Sequence, residues 1–399
     1  MIYDYNECQR ILDNFDNTII KETTPIGYTS LEKLPIRHFT LGNGNDHIVL
    51  TASWHSNETI TTTFVIKLMK YLTDNYIIFD NLTIHFIPIL NPEGYIINTS
   101  AIRSKITKEE NEERVIKFCF EYYQKYKIDN LNSLRTPRLH QEMFNDTNYD
   151  CISKDYLLLR DKIQEILSNH PKGSIIDWAS NGNGIDLNSN SIHKQIKENE
   201  YNRQNVYNNI RLDIPSPIGY PGKNKTNEFQ EEIEISSLKK LFDNLNKDNN
   251  TLLGYLNYHS IGGLIYQRPE SDNLFFTSYN YLLSKYYQEH TVKDKGKYGI
   301  ITNKSNKITS VNDILRITYP GNLLIELSPM MGNPIGLFGD INNFNTTIDS
   351  NIESFIYTMN NIENIYNTSK KIITEIDTLD KVYDLIDKTY EQKKKILTK

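Results

Sequence analysis

The chain has 399 residues, 38% of them hydrophobic, and a formal net charge of −6, so it is long and apolar enough for one large α/β domain or two ordinary ones. Its Lys and Arg residues are scattered and form no stripe, which argues against a nucleic-acid partner. No run approaches the about 18 apolar residues of a membrane span, and the start Met1-Ile2-Tyr3-Asp4-Tyr5-Asn6-Glu7 carries acids where a secretory signal is basic and then apolar; a cytoplasmic protein without a membrane span is expected.

A helix over residues 6–15 opens the chain. Strand-like runs at 20–28 and 36–41 follow, the second closed by the turn signal Gly42-Asn43-Gly44-Asn45-Asp46. The run Ile48-Val49-Leu50-Thr51-Ala52 reads as a buried strand that delivers His55 and Glu58 to a turn, after which residues 59–72 become helical. Residues 82–90 form another apolar strand, closed by Asn91-Pro92-Glu93-Gly94-Tyr95. Strand, helix and strand of these lengths make a βαβ unit, which predicts an α/β fold with a parallel or mixed sheet.

From about residue 103 to 176 the chain reads as a charged helical insertion, with helices at 109–126 and 154–169. Ile175-Ile176-Asp177-Trp178 resumes extended structure and leads to Gly184-Ile185-Asp186-Leu187-Asn188. A polar stretch at 191–211 and a Pro- and Gly-rich loop at 215–222 precede helices at 228–246 and 272–289. Between and after these helices lie strands at 252–260, ending near His259, and at 323–327, carrying Glu326. The tail is helical, and its stripe of Ile373, Ile376, Leu379, Val382, Leu385 and Ile386 suits packing on the domain or on a partner chain, which leaves an oligomer through these helices open. The division expected is a domain at 1–350 and a helical extension at 351–399. Three Cys, at 8, 119 and 151, lack metal-type spacing and read as reduced thiols.

The chemistry concentrates at three strand ends. An imidazole and a carboxylate three residues apart on a turn can reach one Zn2+, although a helix start with Glu58 as its cap is the plainer alternative. In open α/β sheets the ligand site lies at the carboxyl ends of the strands, so His259 can join His55 and Glu58 there. Two His and one Glu form a catalytic-type set for one zinc per chain, with a position left for water. Glu326 reads either as a paired buried acid or as the carboxylate that takes a proton from water and hands it to a leaving amine.

In order along the chain, His55-Ser56-Asn57-Glu58, Asn91-Pro92-Glu93-Gly94-Tyr95, Gly184-Ile185-Asp186-Leu187-Asn188, Tyr258-His259-Ser260 and Ile325-Glu326-Leu327 resemble the motifs of the M14, carboxypeptidase A-like, zinc carboxypeptidase family. The resemblance implies a mixed, mostly parallel eight-stranded sheet with helices on both faces. It also implies a metallopeptidase in which zinc and Glu326 activate water against the carbonyl of a small peptide, with Asp186 orienting a ligating His. Trp178 to Asn188 and Met331-Gly332-Asn333-Pro334 resemble a bacterial subgroup that includes γ-D-glutamyl-diamino acid peptidases, which implies a peptidoglycan stem peptide as substrate.

Departures from the family pattern fall on the substrate side. Asn183 stands where an oxyanion-stabilising Arg is expected, and Ser189 where a carboxylate-clamping Arg follows Leu-Asn; neither residue offers the charge or fork of a guanidinium. Thr309-Ser310-Val311-Asn312-Asp313 occupies the place of a segment with a substrate-binding Tyr. Asn183, Asn188 and Ser189 remain substrate-side candidates, and Arg103, Arg268 or Arg316 could swing a charge into the cleft. A zinc- and peptide-binding pseudo-peptidase without turnover is the alternative reading.

Overall fold

The computed structural model describes residues 3–15, 18–104, 148–170, 175–176, 178–190, 213–222, 229–247, 250–260, 262–267, 273–292, 296–302, 310–327, 341–376, 378, 381–388 and 390. The predicted helix at 109–126, the polar stretch at 191–211, Arg268 and Leu379 lie outside these residues.

Helix α1 (Tyr5–Asp13) starts with a capping box, in which the Asp4 carboxylate accepts from the Glu7 amide and the Glu7 carboxylate from the Asp4 amide, each at 2.8 Å. Strands β1 (Ile20–Tyr28) and β2 (Pro35–Gly42) pair antiparallel. The expected βαβ unit follows as β3 (Asp46–Thr51), α2 (Thr59–Asp74) and β4 (Leu82–Ile87), its two strands parallel. Next come α3 (Pro92–Ser104), α4 (Leu157–Asn169), α5 (Ile233–Leu245), β5 (Thr251–Ser260), β6 (Leu264–Tyr266) and α6 (Leu274–Gln288). The chain continues through β7 (Gly299–Ile301), α7 (Val311–Thr318), β8 (Asn322–Leu327), α8 (Ile341–Asn360) and α9 (Ile362–Glu375).

The strands form one mixed, mostly parallel sheet of eight in the order β1-β2-β4-β3-β5-β8-β6-β7. Its centre, β4-β3-β5-β8, is parallel throughout. β3 passes through α2 to β4 on one side, while β5 lies on its other side, so the connection reverses direction between β3 and β5. That reversal opens a crevice at the carboxyl ends of the two strands.

Side-chain alternation places a core on each face of the sheet. Ile48, Leu50, Leu256 and Ile325 belong to the larger core, shared with α1, α2, α3, α6, α8 and α9. Val49 and Tyr255 belong to the smaller, closed by Ile235, Leu238 and Phe242 of α5 and by Val311 and Leu315 of α7. Helix α8 runs unbroken through residue 350, and its buried Phe344, Ile348, Phe355 and Met359 pack into the larger core alongside α6. Val382 and Ile386, from the stripe predicted for the tail, are fully buried in that same core. Among the described residues no helix is long and apolar enough to cross a membrane.

Several elements differ from the sequence reading. The strand predicted to 90 ends at Ile87 because Pro88 has no N–H to continue the ladder. Asn91 to Tyr95, read as a closing turn, instead open α3, which runs from Pro92 to Ser104: Asn91 Oδ1 accepts from Gly94 N at 3.0 Å and Pro92 takes the first helical position. Ile175 and Ile176 are buried in a bend and turn instead of a strand.

A row of histidines crosses the sheet near the start of β3. His38 Nε2 lies 2.8 Å from His85 Nδ1, His85 Nε2 lies 2.8 Å from His47 Nδ1, and His38 Nδ1 lies 2.7 Å from Thr23 Oγ1. Burial disfavours charging all three: His38 is pushed down to about 4, His47 is lowered, and His85 falls well below its usual value with the other two imidazoles adding to the effect. An unfolded His titrates near 6.5, so the unfolded chain takes up protons first as pH falls. Stability is therefore intact above about pH 6.5 and is lost as pH falls from there to about 4, with His38 alone worth on the order of 3 kcal/mol. Melting temperature should drop across that window, and His38→Gln, which keeps a hydrogen-bonding side chain but cannot charge, should drop less; equal slopes for the two proteins would refute this account.

Candidate metal centre

The turn between β3 and α2 is built against local preference. Ser53, a buried non-glycine residue, has φ of 54°, in the left-handed region that costs most L residues energy. Its amide donates to Thr61 Oγ1 at 3.0 Å, which ties the turn to the first turn of α2. Ser56 Oγ donates to the Trp178 carbonyl, and Asn91 Nδ2 donates to the carbonyls of Trp54 (3.3 Å) and Ser180 (3.1 Å). The β3–α2 turn is thus fastened to the start of α3 and to the segment before Asp186.

Glu58 occupies the cap position of α2 but makes no side-chain capping bond, so the plainer sequence alternative does not hold. Its carboxylate lies between two imidazoles instead, Oε1 at 2.9 Å from His55 Nδ1 and Oε2 at 3.0 Å from His259 Nδ1. The His55 and His259 ring centroids are 5.0 Å apart. One donor atom from each of His55, Glu58 and His259 falls within 4.8 Å of the other two, which brings together residues that the sequence separates by most of a domain.

Behind this trio stand Asp186 and Glu326. Asp186 caps the short 3-10 turn Leu187–Ser189, accepting from the Asn188 amide at 3.0 Å and the Ser189 amide at 3.3 Å, and its Oδ1 lies 3.4 Å from His55 Nε2. One carboxylate thus caps this turn and also lies against His55 Nε2. Gly184, in the same motif, has φ of +73°, and a Cβ there would come within 2.9 Å of the Ser216 amide nitrogen. Glu326 pairs in register with His259 across β5 and β8, so both side chains leave the same face. Its Oε2 is covered and has no hydrogen-bonding partner among the described residues.

Electrostatics distinguish the groups. At His55 burial opposes charging, but Glu58 and Asp186 outweigh it and hold the imidazole well above its usual value. For Glu58 burial is likewise outweighed, here by His55 and His259, and the carboxyl is pulled down to about 2. Burial prevails at His259, which is lowered despite Glu58. Burial, reinforced by the Glu58 charge, raises Glu326 well above the ordinary carboxyl range.

A metal ion suits the donors present. Two imidazole nitrogens and a carboxylate are a zinc-type set of three that leaves a further position open. Glu58 Oε2 is buried and faces His259 Nδ1 at 3.0 Å, so both atoms are directed at the space that the three donors share. The profile of the family described as zinc carboxypeptidase, M14, matches residues 19–311. The chain belongs to the M14 zinc carboxypeptidase family. Bovine thrombin-activatable fibrinolysis inhibitor, solved in complex with tick carboxypeptidase inhibitor, superposes with a TM-score of 0.51 at 14% identity, covering 91% of this chain and 98% of that one. Carboxypeptidase A from Helicoverpa armigera gives 0.49 at 13% identity, covering 88% and 73%, and a metallo-carboxypeptidase from Burkholderia cenocepacia 0.46 at 9%, covering 89% and 69%. At 14% identity the likeness to the bovine protein speaks for a zinc carboxypeptidase fold alone. A comparison with curated proteins finds no match.

Within the zinc carboxypeptidase fold the substrate-side candidates are arranged as follows. Asn183 Nδ2 donates to Ser30 Oγ at 2.7 Å and Glu232 Oε2 at 2.9 Å. Ser189 Oγ donates to Asp186 Oδ2 at 3.1 Å, so it braces that carboxylate. Asn188 Oδ1 accepts from Asn312 Nδ2 at 2.9 Å. Arg103 pairs with Glu7 at 2.6 Å; Glu7 lines a groove with Ile66, Lys67 and Lys70 of α2, two to three turns along that helix from Glu58. Arg316 is buried and paired with Asp313. Arg103 and Arg316 are thus each paired with a carboxylate, and Arg268 lies outside the described residues.

Asn257 and Asn312, both on His259 Nε2 at 3.2 and 3.1 Å, are site residues that sequence reasoning missed. Asn257 could have been found, because it stands two before His259 on a strand and therefore shares its face. Asn312 carries no such signal; only the packing of α7 beneath β5 brings it there.

Zinc binding to the folded protein should raise its melting temperature, by about 2.7 kcal/mol of stabilisation at a free zinc concentration 100 times the dissociation constant. His259→Ala should abolish that response while leaving the metal-free melting temperature measurable. Coincident melting curves of wild-type protein with zinc and with a chelator would rule out the metal reading.

Proposed function

We propose that the chain is a zinc-dependent peptidase that cleaves a peptide bond in a small peptide, with the γ-D-glutamyl-diamino acid bond of a peptidoglycan stem peptide as the substrate class. The observation that carries the hydrolytic reading is the Glu326 carboxylate. Its Oε2 has no partner among the described residues, and it lies beside His259 on the sheet face of His55, Glu58 and His259. The substrate class rests on the resemblance of Trp178 to Asn188 to the bacterial subgroup.

His55, Glu58 and His259 would hold the zinc. When bound there, zinc polarises a carbonyl and makes water more acidic. Asp186 keeps His55 turned by holding its Nε2 side, and Ser189 keeps Asp186 in place. Glu326 takes a proton from the attacking water and releases it to the leaving amine. Burial and the Glu58 charge give Glu326 a raised proton affinity, which suits a carboxyl that must hold a proton between those two transfers.

A second reading is favoured by specific contacts. The polar ends of Asn183 and Ser189 are committed to Glu232, Ser30 and Asp186, and the guanidinium groups of Arg103 and Arg316 to carboxylates. A protein without a cation for the oxyanion would bind zinc and peptide yet turn over poorly, since one lost oxyanion donor costs about 100- to 1000-fold.

Purified zinc-loaded protein should release the diamino acid from γ-D-glutamyl-diaminopimelate peptides, and Glu326→Gln should lower the rate by about 100- to 10,000-fold while keeping its zinc. Equal rates in the two proteins would dismiss the mechanism. Zinc and peptide binding without any Glu326-dependent turnover would favour the second reading.

A further inference from the structure

Apart from the metal trio, three carboxyl groups meet in one buried place. Glu93 lies in the first turn of α3, Glu232 stands at the cap position of α5 and Glu234 lies in the first turn of α5; all three are buried, Glu93 and Glu234 completely. They surround residues 181–183, just before Asp186. Asn181 Nδ2 reaches Glu232 Oε2 at 2.8 Å and Glu234 Oε1 at 3.3 Å, and a Cβ on Gly182 would fall 2.4 Å from Glu93 Oε2. The sense of the Asn181 carboxamide is fixed, because its Oδ1 accepts from the amides of Asn183 and Ile185, each at 3.0 Å.

Hydrogen-bond donors are shared unevenly among the three. Glu93 Oε1 accepts from the Leu31 and Glu32 amides at 3.1 and 2.8 Å, and Glu232 Oε2 accepts from Asn183 Nδ2 at 2.9 Å as well as from Asn181. Glu234 has the more distant share of Asn181 Nδ2 and its own amide, and its Oε2, like Glu93 Oε2, is covered without a partner among the described residues. Charged groups on the surrounding elements are committed elsewhere. Lys33 is exposed and donates to the Ser30 carbonyl at 2.9 Å, Arg160 of α4 pairs with Asp150, Lys239 of α5 pairs with Glu231, and Glu32 accepts from the Leu159 amide at 2.8 Å. The starts of α3 and α5 supply roughly half a positive charge each, enough to answer about one carboxylate and not three. Burial and the charges of Glu232 and Glu93 accordingly push Glu234 up to about 8, and burial raises Glu232 and Glu93 as well.

We propose that Glu93, Glu232 and Glu234 form a proton-binding switch, in which a hydrogen on Glu234 holds residues 181–190 against α5 and its loss to solvent on the alkaline side releases that segment and Asp186 with it. The segment is tied to α5 on both sides of Asp186. Asn181 is one tie; Asn190 is the other, its Oδ1 accepting from the Glu232 amide at 2.7 Å and its Nδ2 donating to the carbonyls of Pro221 and Gln230 at 2.9 Å each. Two like charges in a buried site move apart or draw in water, and Asn181 Nδ2 cannot follow both. Its Oδ1 passes the displacement to the Ile185 amide, next to the Asp186 that lies against His55 Nε2. The switch stands without the zinc reading; its effect on metal binding rests on that reading.

Three measurements test it. An unfolded Glu titrates near 4.3 and Glu234 higher, so the folded protein loses stability as pH rises from about 4.3 to about 8. Glu234→Gln keeps the contact with Asn181 but cannot ionise, so its melting temperature should gain on that of the wild type between about pH 6 and about pH 8.5. The histidine row is common to both proteins and cancels in the difference. Trp178 reports on the segment directly, since its Nε1 donates to the Asn181 carbonyl at 3.1 Å. The chain has two Trp, and with fluorinated tryptophan incorporated the fluorine-19 resonance of Trp178 should titrate in the wild type, titrate at lower pH in Glu232→Gln, and stay still in Glu234→Gln. Zinc affinity, read by competition with a chromophoric chelator, should fall about 10-fold further in the wild type than in Glu234→Gln over the same pH range. Parallel melting-temperature profiles, or a Trp178 resonance that moves alike in the wild type and Glu234→Gln, overturn the switch. So does a wild-type melting temperature that rises with calcium or magnesium while that of Glu234→Gln does not, because the carboxyls then hold a cation in place of a proton. Equal losses of zinc affinity in the two proteins overturn the coupling to the metal. A wild-type protein that binds no zinc overturns the metal reading, while the melting profiles and the Trp178 resonance still decide the switch.

Discussion

The carboxylate of Glu58, closed in between two imidazoles, is the constraint on which the rest of this site depends. One imidazole comes from its own turn and the other from β5. A buried carboxylate is tolerable only when its charge is answered, and here the answer is split between neighbours supplied by different parts of the chain. The order of strands in the sheet follows from that need in functional terms. Only with β5 beside β3, and the connection reversing between them, does a histidine at residue 259 reach the turn at residue 58. The strained backbone at Ser53 and the loss of a helix cap at Glu58 are local costs accepted for the same placement.

Behind the charged groups lies a layer of neutral polar side chains. Asn91 and Thr61 bind a carbonyl and an amide of the β3–α2 turn and Ser56, within that turn, binds the Trp178 carbonyl, while Asn257, Asn312 and Thr51 close the far side of His259. Nearly all are buried. Amides and hydroxyls are suited to this position because they satisfy backbone groups in several directions without adding charge to a site that already has three ionisable groups in His55, Glu58 and His259.

What was legible in the sequence follows from which physical signals are local. The parallel strands at the centre of the sheet are buried on both faces and stand out as apolar runs, so β3, β4, β5 and β8 were readable, and so were the His and Glu at their ends. Short strands such as β6 and β7 have only three residues each and owe their existence to neighbours already in place. Helix α3 was hidden although Asn91, Pro92 and Glu93 are good starting residues, because they also spell a loop motif. The carboxylate–imidazole arrangement could be expected from strand ends, but the choice between capping and ligating for Glu58 could not, since it depends on His259. The commitments of Asn183, Ser189 and Arg103 to Glu232, Asp186 and Glu7 were likewise invisible, because each partner comes from elsewhere in the fold.

The pairing of β3 with β5 also governs how the molecule comes to exist. It joins Asp46 to Thr251 and so closes a loop of roughly 200 residues. Closing so long a loop adds little to the equilibrium cost, which grows only with the logarithm of length, but contacts of such separation form slowly. During synthesis the His55–Glu58 turn and the hairpin of β1 and β2 leave the ribosome long before β5 is made. A nascent or truncated chain lacking β5 therefore displays the His55 imidazole and the Glu58 carboxylate without His259, and the three donor groups come together only after the sheet has closed.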